Sequence, residues 1–177
     1  MNLDKILRKS NKYSCQKKGK WQMYEYRCKV LRVVDGDTVD VDIELGFGIV
    51  LSDERVRVMG IDTPESRTSD KVEDVFGEAA KARVKELLGK GEYQILRTEV
   101  NKDGEDMKGK FGRVLGDFVI GDKLLTEILI EEGHAVKYYG QNKADVLSAH
   151  FANRNLLMEN GTIDPKLVHA AQEKMNK

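Results

Sequence analysis

The stretch TVDVDIEL, residues 38–45, alternates polar and apolar side chains without a break. Successive side chains of a β-strand point to opposite faces of the sheet, so this pattern predicts a strand with one buried face. The turn dipeptide Asp35-Gly36 comes just before it, and residues 24–34 place larger apolar side chains at alternate positions. The sequence therefore predicts two successive strands separated by a short turn.

Three further segments have the composition of strands and end at turn signals. They are residues 55–61, 93–100 and 113–120. A loop is expected over residues 52–54, which are Ser, Asp and Glu. Together with the first two strands, these segments predict five strands, of which the first three form a meander.

Apolar residues recur at helical spacing in three other segments, and glycine follows each of them. The segments are residues 76–88, 124–129 and 146–157. Asp164-Pro165 predicts the N-cap and first turn of a small terminal helix. One helix after the third strand and the others at the end indicate an α+β domain with three main α-helices, for which a five-stranded, OB-fold-like β-barrel is one solution.

The overall composition is that of an ordinary globular protein. The chain has 177 residues, 30 Lys and Arg against 30 Asp and Glu, and 40% hydrophobic residues. These values exclude collagen-like, disulfide-scaffold and low-complexity classes. No apolar run approaches the roughly 18 residues of a membrane span, and residues 1–20 carry charges where a signal peptide has its apolar core. A soluble, cytoplasmic protein is expected.

Cysteine and histidine do not indicate a metal centre. Cys15 and Cys28 are not part of a Cys-x-x-Cys pair, so two reduced thiols are expected. His134, His150 and His169 fall in or beside the C-terminal helical segments without a pair at metal-ligand spacing. We interpret all three as ordinary helix residues, which argues against a histidine-based catalyst.

Charge is unevenly distributed along the chain. Residues 1–32 hold ten basic side chains against two acidic ones, and the remainder holds 20 against 28. This basic arm, followed closely by Trp21 and Tyr24, has the chemistry to follow a phosphate backbone and stack on bases. A solvated, flexible terminus explains the same composition, and the two interpretations stay open.

Two short acidic segments are candidates for chemistry. Residues 35–38 read Asp-Gly-Asp-Thr at the start of the second strand, and residues 62–65 read Asp-Thr-Pro-Glu just after the third. Paired strands would bring their carboxylates to one rim, where oxygen ligands suit a hard cation such as Ca²⁺. Both segments are also common turn sequences, and Arg57 and Arg113 are exposed surface arginines by default. Spacing alone leaves both alternatives open.

Taken together, these segments resemble one family, the staphylococcal nuclease or thermonuclease family of Ca²⁺-dependent phosphodiesterases. The resemblance extends in order over residues 24–161. The segments that carry it are residues 34–39 (VDGDTV), 57–65 (RVMGIDTPE), 76–80 (FGEAA), 110–113 (KFGR) and 124–139. It implies a nuclease domain over residues 24–161. The basic arm, taken as residues 1–23, and a short C-terminal helix or tail over residues 162–177 lie outside the resemblance.

The resemblance implies a metal site. Asp37 and Asp62 would bind Ca²⁺ through their carboxylates, and Thr63 would bind it through its backbone carbonyl. Glu65 would orient or deprotonate the attacking water, a role in which position matters more than a large pKa shift.

The resemblance also implies the groups that bind the substrate. Arg57 and Arg113 would donate to the phosphate and stabilise the negative charge that builds on it in the transition state. The implied nucleotide contacts are Lys71, Lys137, Tyr138 and Tyr139. As an alternative, the two tyrosines pack under the last helix.

The expected activity is that of a Ca²⁺-dependent, nonspecific endonuclease that hydrolyses DNA or RNA and leaves 3′-phosphate ends. We expect a monomer with a nucleic-acid substrate, no membrane contact and no obligate protein partner. A catalytically silent module that binds nucleic acid or protein is the alternative. Such a module is expected to lack Arg57, Glu65 or Arg113, and this chain retains all three.

One segment departs from the family pattern. The stretch between the first acidic segment and Arg57 is longer than in the type protein, and residues 46–48 and 52–54 account for the extra length. We expect a surface extension of a hairpin there.

Overall fold

A computed structural model of the chain describes residues 24–99, 109 and 112–176. Residues 1–23, which contain the basic arm and Cys15, lie outside the described part of the chain, and so do residues 100–108, 110 and 111 before Arg113. The elements in chain order are β1 (Tyr24–Asp35), β2 (Thr38–Gly46), β3 (Ile49–Val58), β4 (Ile61–Asp62), α1 (Lys71–Leu88), β5 (Tyr93–Thr98), β6 (Val114–Ile120), β7 (Lys123–Leu124), α2 (Leu125–Glu131), β8 (Val136–Lys137), α3 (Lys143–Glu159) and α4 (Pro165–Met175).

Five long strands close into a barrel. β1 pairs antiparallel with β2 and β5, β2 pairs with β3, and β5 pairs with β6. A parallel pairing of β3 with β6, in which Arg57 lies opposite Leu115, completes the ring. The α+β class and the five-stranded, OB-fold-like barrel are confirmed. The described residues contain the three main helices that were predicted and the small terminal one.

The predicted loop over residues 52–54 is wrong, because β3 already begins at Ile49. Val41 pairs with Glu54 and Ile43 pairs with Leu51, so β3 has one residue more than β2 in this interval. The extra residue makes a β-bulge, and Asp53 there adopts a positive φ of 56°. Polar turn-forming residues thus mark an irregularity inside a continuous strand, where ladder hydrogen bonds outweigh local propensity.

Polar side chains cap α1, α3 and α4 at their N-termini. Asp70 accepts hydrogen bonds from the backbone N–H groups of Val72 and Glu73 at 2.9 and 3.1 Å, and α1 begins at Lys71, five residues earlier than predicted. Asp164 accepts from Lys166 N at 2.9 Å, as the Asp-Pro signal predicted for the terminal helix. No helix in the described part of the chain is long and apolar enough to cross a membrane.

The core has two parts. Inside the barrel, fully buried side chains from the strands pack with Val84 and Leu88 of α1 and with Leu125 and Leu129 of α2. A second cluster joins α1 to the C-terminal segments; it consists of Phe76, Leu157, Ile163 and Val168. α1 therefore fastens the barrel to both of the last helices.

Cys28 is free and fully buried on the inner face of β1. Burial raises the pKa of its thiol to about 12, so the thiol is protonated at neutral pH. This agrees with the prediction of a reduced, unreactive cysteine at this position.

Asp117 on β6 links the barrel to α2. Its carboxylate accepts hydrogen bonds from Thr126 Oγ1 at 2.5 Å and from Phe118 N at 2.8 Å. Burial nevertheless raises the pKa of Asp117 to about 6, because the hydrogen bonds offset the loss of solvation only in part.

Replacing Asp117 by Asn removes a stability term that depends on pH. With a folded pKa near 6 and an unfolded pKa near 4, Asp117 destabilises the fold progressively as pH rises through this window. We expect the free energy of unfolding of Asp117→Asn, relative to the wild type, to increase by about 2 kcal/mol between pH 4 and pH 6. Urea unfolding at intervals across this range measures the difference. The exposed Asp122→Asn is the control, and a difference that does not change with pH contradicts the assignment.

Candidate active site

The turn between β1 and β2 carries Asp37 to one rim of the barrel. The backbone carbonyl of Asp37 accepts a hydrogen bond from Val58 N at 2.8 Å, which fastens the turn to the end of β3. A Cβ atom on Gly36 would lie 2.9 Å from Thr63 Oγ1 and 3.0 Å from Ala80 Cβ, so only glycine allows this close approach. The turn thereby buries Thr63, which is 5% exposed.

Arg57 holds the two aspartates of the rim together. Its Nη2 atom lies 2.9 Å from Asp37 Oδ2 and 3.9 Å from Asp62 Oδ1. The same guanidinium donates to the backbone carbonyls of Val58 at 2.6 Å and Ile61 at 2.9 Å. With 17% of its side chain exposed, Arg57 is not the surface arginine that was its default interpretation.

Asp37 is a buried carboxylate in a crowded electrostatic environment. Burial raises its pKa, while the charge of Arg57 and a 2.8 Å hydrogen bond from Thr38 Oγ1 act in the opposite direction. The negative charges of Asp35 and Asp62 raise it further, and the net result is a raised pKa. Arg57 therefore does not fully offset the loss of solvation of the Asp37 carboxylate.

Glu65 belongs to the same cluster. Partial burial of its carboxyl group raises its pKa, and the charges of Asp35, Asp37 and Asp62 and a hydrogen bond with Asp35 add to this effect. Glu65 is thus close enough to the two predicted metal ligands to interact with their charge.

The donors at this rim fit a hard divalent cation. Carboxylate and carbonyl oxygens are the ligands that Ca²⁺ takes in proteins, and the mutual repulsion of the carboxylates favours a bound cation. Among the described residues, no group of three or more His, Cys, Asp or Glu side chains is placed to hold a metal ion. The roles of Asp37 and Asp62 as metal ligands therefore stay predictions.

α1 positions Glu65 through a contact that only glycine permits. A Cβ atom on Gly77 would lie 2.4 Å from the carbonyl oxygen of Glu65 and 2.6 Å from the backbone nitrogen of Ser66. The Ser66 backbone N–H also donates to Asp35 Oδ1 at 3.3 Å. The backbone that carries Glu65 is therefore held between the helix and the β1–β2 turn.

Both predicted phosphate-binding arginines line one cleft. The cleft has a volume of about 400 Å³, and its walls include Arg57, Arg113, Tyr138 and Tyr139. Tyr138 N donates to the carbonyl of Gly60 at 2.9 Å, which attaches the tyrosine segment to the residues after β3. Tyr138 and Tyr139 are 40% and 79% exposed, so a position in the cleft wall describes them better than packing under the last helix.

The structure does not bring the two predicted lysines into this cleft. Lys137 is exposed on β8, where it pairs with Ile61. Lys71 begins α1, and its Nζ atom lies 3.9 Å from Asp74 Oδ2. Their contacts with substrate remain predictions.

His150 is a site residue that the sequence analysis missed. From α3, its Nε2 atom lies 2.9 Å from Asp62 Oδ2, and only 10% of its side chain is exposed. His150 lies in a helix, as predicted, but its contact with Asp62 was not predicted. The two residues are 88 positions apart, and no local pattern in the sequence signals their contact.

The other two histidines lie away from this contact. His134 is buried between α2 and β8, and burial lowers its pKa. His169 is exposed on α4, with Nε2 3.4 Å from Glu173 Oε1. Neither changes the predicted set of site residues.

The fold and the site together define an OB-like barrel that carries clustered carboxylates and arginines at one rim. The profile of the family described as "Staphylococcal nuclease homologue" matches residues 55–155. The chain belongs to this family.

The relatives that the chain matches include several proteins named as nucleases. The chain is 35% identical to the thermonuclease of Staphylococcus intermedius over 114 residues, covering 64% of this chain and 61% of the relative. It is 32% identical to the SPbeta prophage-derived endonuclease YokF of Bacillus subtilis over 141 residues, covering 75% and 44%. It is 31% identical to the micrococcal nuclease of Shigella flexneri over 128 residues, covering 66% and 62%. The chain thus spans roughly half of the length of these relatives.

Replacing His150 by Ala leaves one oxygen of Asp62 without its partner and opens space under α3. The loss of a partly buried hydrogen bond to a carboxylate is expected to lower the free energy of unfolding by about 1–3 kcal/mol. Urea unfolding at pH 7 measures this loss, with the exposed His169→Ala as a control expected to stay within about 0.5 kcal/mol of the wild type. Equal stability of the two variants would show that the contact with Asp62 contributes nothing to the fold.

Proposed function

We propose that this chain is a Ca²⁺-dependent endonuclease that hydrolyses phosphodiester bonds of DNA or RNA and leaves 3′-phosphate ends. The observation that carries the proposal is Arg57, held by Asp37, Asp62 and two backbone carbonyls beside the cleft that Arg113 also lines. The named relatives, which are nucleases and endonucleases, support it.

The two arginines would bind the phosphate. Arg57 and Arg113 line the same cleft from β3 and from the start of β6, so both guanidinium groups can face one phosphodiester. Charge-assisted hydrogen bonds from fixed donors strengthen as negative charge builds on the phosphate oxygens, which lowers the barrier. The hydrogen bonds of Arg57 to backbone carbonyls fix its guanidinium before the substrate arrives.

The carboxylates would divide into ligands and a base. Asp37 and Asp62, together with the carbonyl of Thr63, would hold Ca²⁺ at the rim. Bound there, the cation would add positive charge next to the phosphate. Glu65 would orient the attacking water and take its proton, a role in which its position beside the metal matters more than a shift of its pKa.

The tyrosines would contact the nucleotide. Tyr138 and Tyr139 line the cleft next to the arginines and are partly exposed, which suits stacking on a base or hydrogen bonding to the sugar-phosphate chain. A silent binding module is the second candidate. Retention of the arginines and of the carboxylates around them favours the enzyme.

Arg57→Lys is expected to lower the rate of DNA cleavage by about 10²-fold or more while leaving the fold intact, because an ammonium group retains the charge but not the planar fork. Glu65→Gln is expected to have an effect of the same order, since an amide cannot accept the proton from water. Nicking of supercoiled plasmid in millimolar Ca²⁺ measures the rate, and circular dichroism checks the fold. The control is Arg97→Lys, on the exposed ion pair with Glu25. Cleavage at the wild-type rate by Arg57→Lys or Glu65→Gln would remove the mechanism.

Asp37→Asn is expected to abolish the cleavage that Ca²⁺ activates in the micromolar to millimolar range, because the amide lacks the negative charge of the carboxylate ligand. The measurement is a calcium titration of the cleavage of single-stranded DNA, started from chelator and followed by analysis of the product ends. Asp122→Asn, in the exposed turn after β6, is the control. An unchanged titration would show that Asp37 does not bind the metal, and binding of DNA without cleavage by the wild type would favour the binding module.

A further inference from the structure

A second groove lies beside the active-site rim, between β1 and α1. It has a volume of about 700 Å³, and five cationic side chains line it, against two acidic ones, Asp40 and Asp53. We call it the basic groove. Its cationic side chains are Arg32, Arg67, Lys81, Lys85 and Lys90.

The acidic charge of Asp40 is already compensated within the protein. Its carboxylate is 2% exposed and forms ion pairs with Arg32 and with Arg55, the latter at 2.7 Å. Burial alone would raise the pKa of Asp40, but the hydrogen bonds from these arginines outweigh burial and lower it. Asp40 therefore fixes the wall of the groove without cancelling its other cations.

Among the described residues, three of the other four cations of the groove have no anionic partner. Lys81 Nζ lies 3.3 Å from Glu78 Oε1 and from Ser66 Oγ. In the part of the chain that the structure describes, no carboxylate forms an ion pair with Arg67, Lys85 or Lys90. Like charges facing one groove repel each other, and a polyanion that enters it relieves this repulsion.

The groove continues directly from the active site. The segment of Glu65 passes through Ser66 to Arg67, whose Nη2 atom donates to the carbonyl of Val34 at 3.3 Å, one residue before Asp35. Along β1, the carboxylates of the rim therefore lie next to the cations of the basic groove.

The far end of the groove is also defined. Gly91 N donates to the carbonyl of Val30 at 2.8 Å, so Lys90 lies beside Val30. From Asp35 to Val30, β1 extends about 16 Å at the rise of a strand. A substrate must therefore be several nucleotides long to reach from the rim to Lys90.

We propose that the basic groove binds phosphates of the nucleic-acid strand that lie beyond the scissile phosphate. The proposal rests on the proposed function, since it places the scissile phosphate at Arg57. The groove accounts for binding of the strand on the β1 side of the rim, whereas the tyrosine cleft lies on the side of β4 and β8.

The test replaces two exposed lysines by a neutral residue of similar length. Lys85→Gln/Lys90→Gln removes two cations from the groove, and Lys166→Gln/Lys174→Gln removes two exposed cations from α4, with the same change in net charge. The probe is a fluorescent single-stranded DNA of 12 nucleotides, bound in chelator at several salt concentrations. A single-strand slope of about 0.7 per phosphate contact predicts that the groove variant loses about 1.4 from its salt dependence.

Cleavage in Ca²⁺ adds a second readout. In the groove variant, KM for the 12-nucleotide DNA is expected to rise several-fold, and the rise is expected to shrink as the DNA is shortened to a dinucleotide. The α4 variant is expected to behave as the wild type. A groove variant with the wild-type salt slope and KM overturns the groove proposal and leaves the nuclease intact.

Other outcomes separate the two proposals. Binding of the 12-nucleotide DNA without cleavage by the wild type contradicts the proposed function, while the salt slopes still decide the role of the groove. Failure of the wild type to bind this DNA overturns both. Competition by polyglutamate of equal charge, as strong as by the DNA and equally sensitive to Lys85→Gln/Lys90→Gln, overturns the nucleic-acid assignment in favour of an acidic protein partner.

Discussion

The parallel pairing of β3 with β6 is the constraint on which the rest of the structure depends. It closes the barrel and sets Arg57 opposite Leu115, two residues from Arg113. Met59 N also donates to the carbonyl of Gly116 at 3.0 Å, which continues the attachment past the end of β3. Because the last residues of β3 pair with the first residues of β6, Arg57 and Arg113 lie at the same rim. Without this pairing, the two guanidinium groups would lie on separate sheet edges.

Negative charge at the rim is compensated only in part within the described chain. Asp37, Asp62 and Glu65 lie within one another's field, and the main internal cation among them is Arg57. Keeping like charges together in a partly buried place costs stability, and such an arrangement persists where a ligand offsets it. The contrast is Asp40 on the same barrel, whose charge two arginines compensate. The excess of negative charge at the rim agrees with the proposed cation site.

The helices packed on the barrel make contacts that position the site residues. α1 approaches through Gly77 and holds the backbone of Glu65, and α3 supplies His150 to Asp62. The same α1 forms one wall of the basic groove. In the proposed function, one helix thus positions the group that activates water and guides the strand that is cut. If both proposals hold, this arrangement would let a small barrel bind a long substrate.

The sequence by itself determined the elements and the family. Alternation over residues 38–45 revealed a strand because burial of one face is a local property, and the segments around Arg57 and Asp62 carried the resemblance that the family match confirmed. The sequence pattern wrongly predicted a loop over residues 52–54, because the polar residues that favour a loop also occur at a β-bulge. The roles of the predicted site residues stay predictions. Only the tertiary structure decided the burial of Arg57, the contact of His150 with Asp62 and the basic groove. These features join residues far apart in the chain, and their proximity depends on barrel closure and helix packing, which no local periodicity encodes.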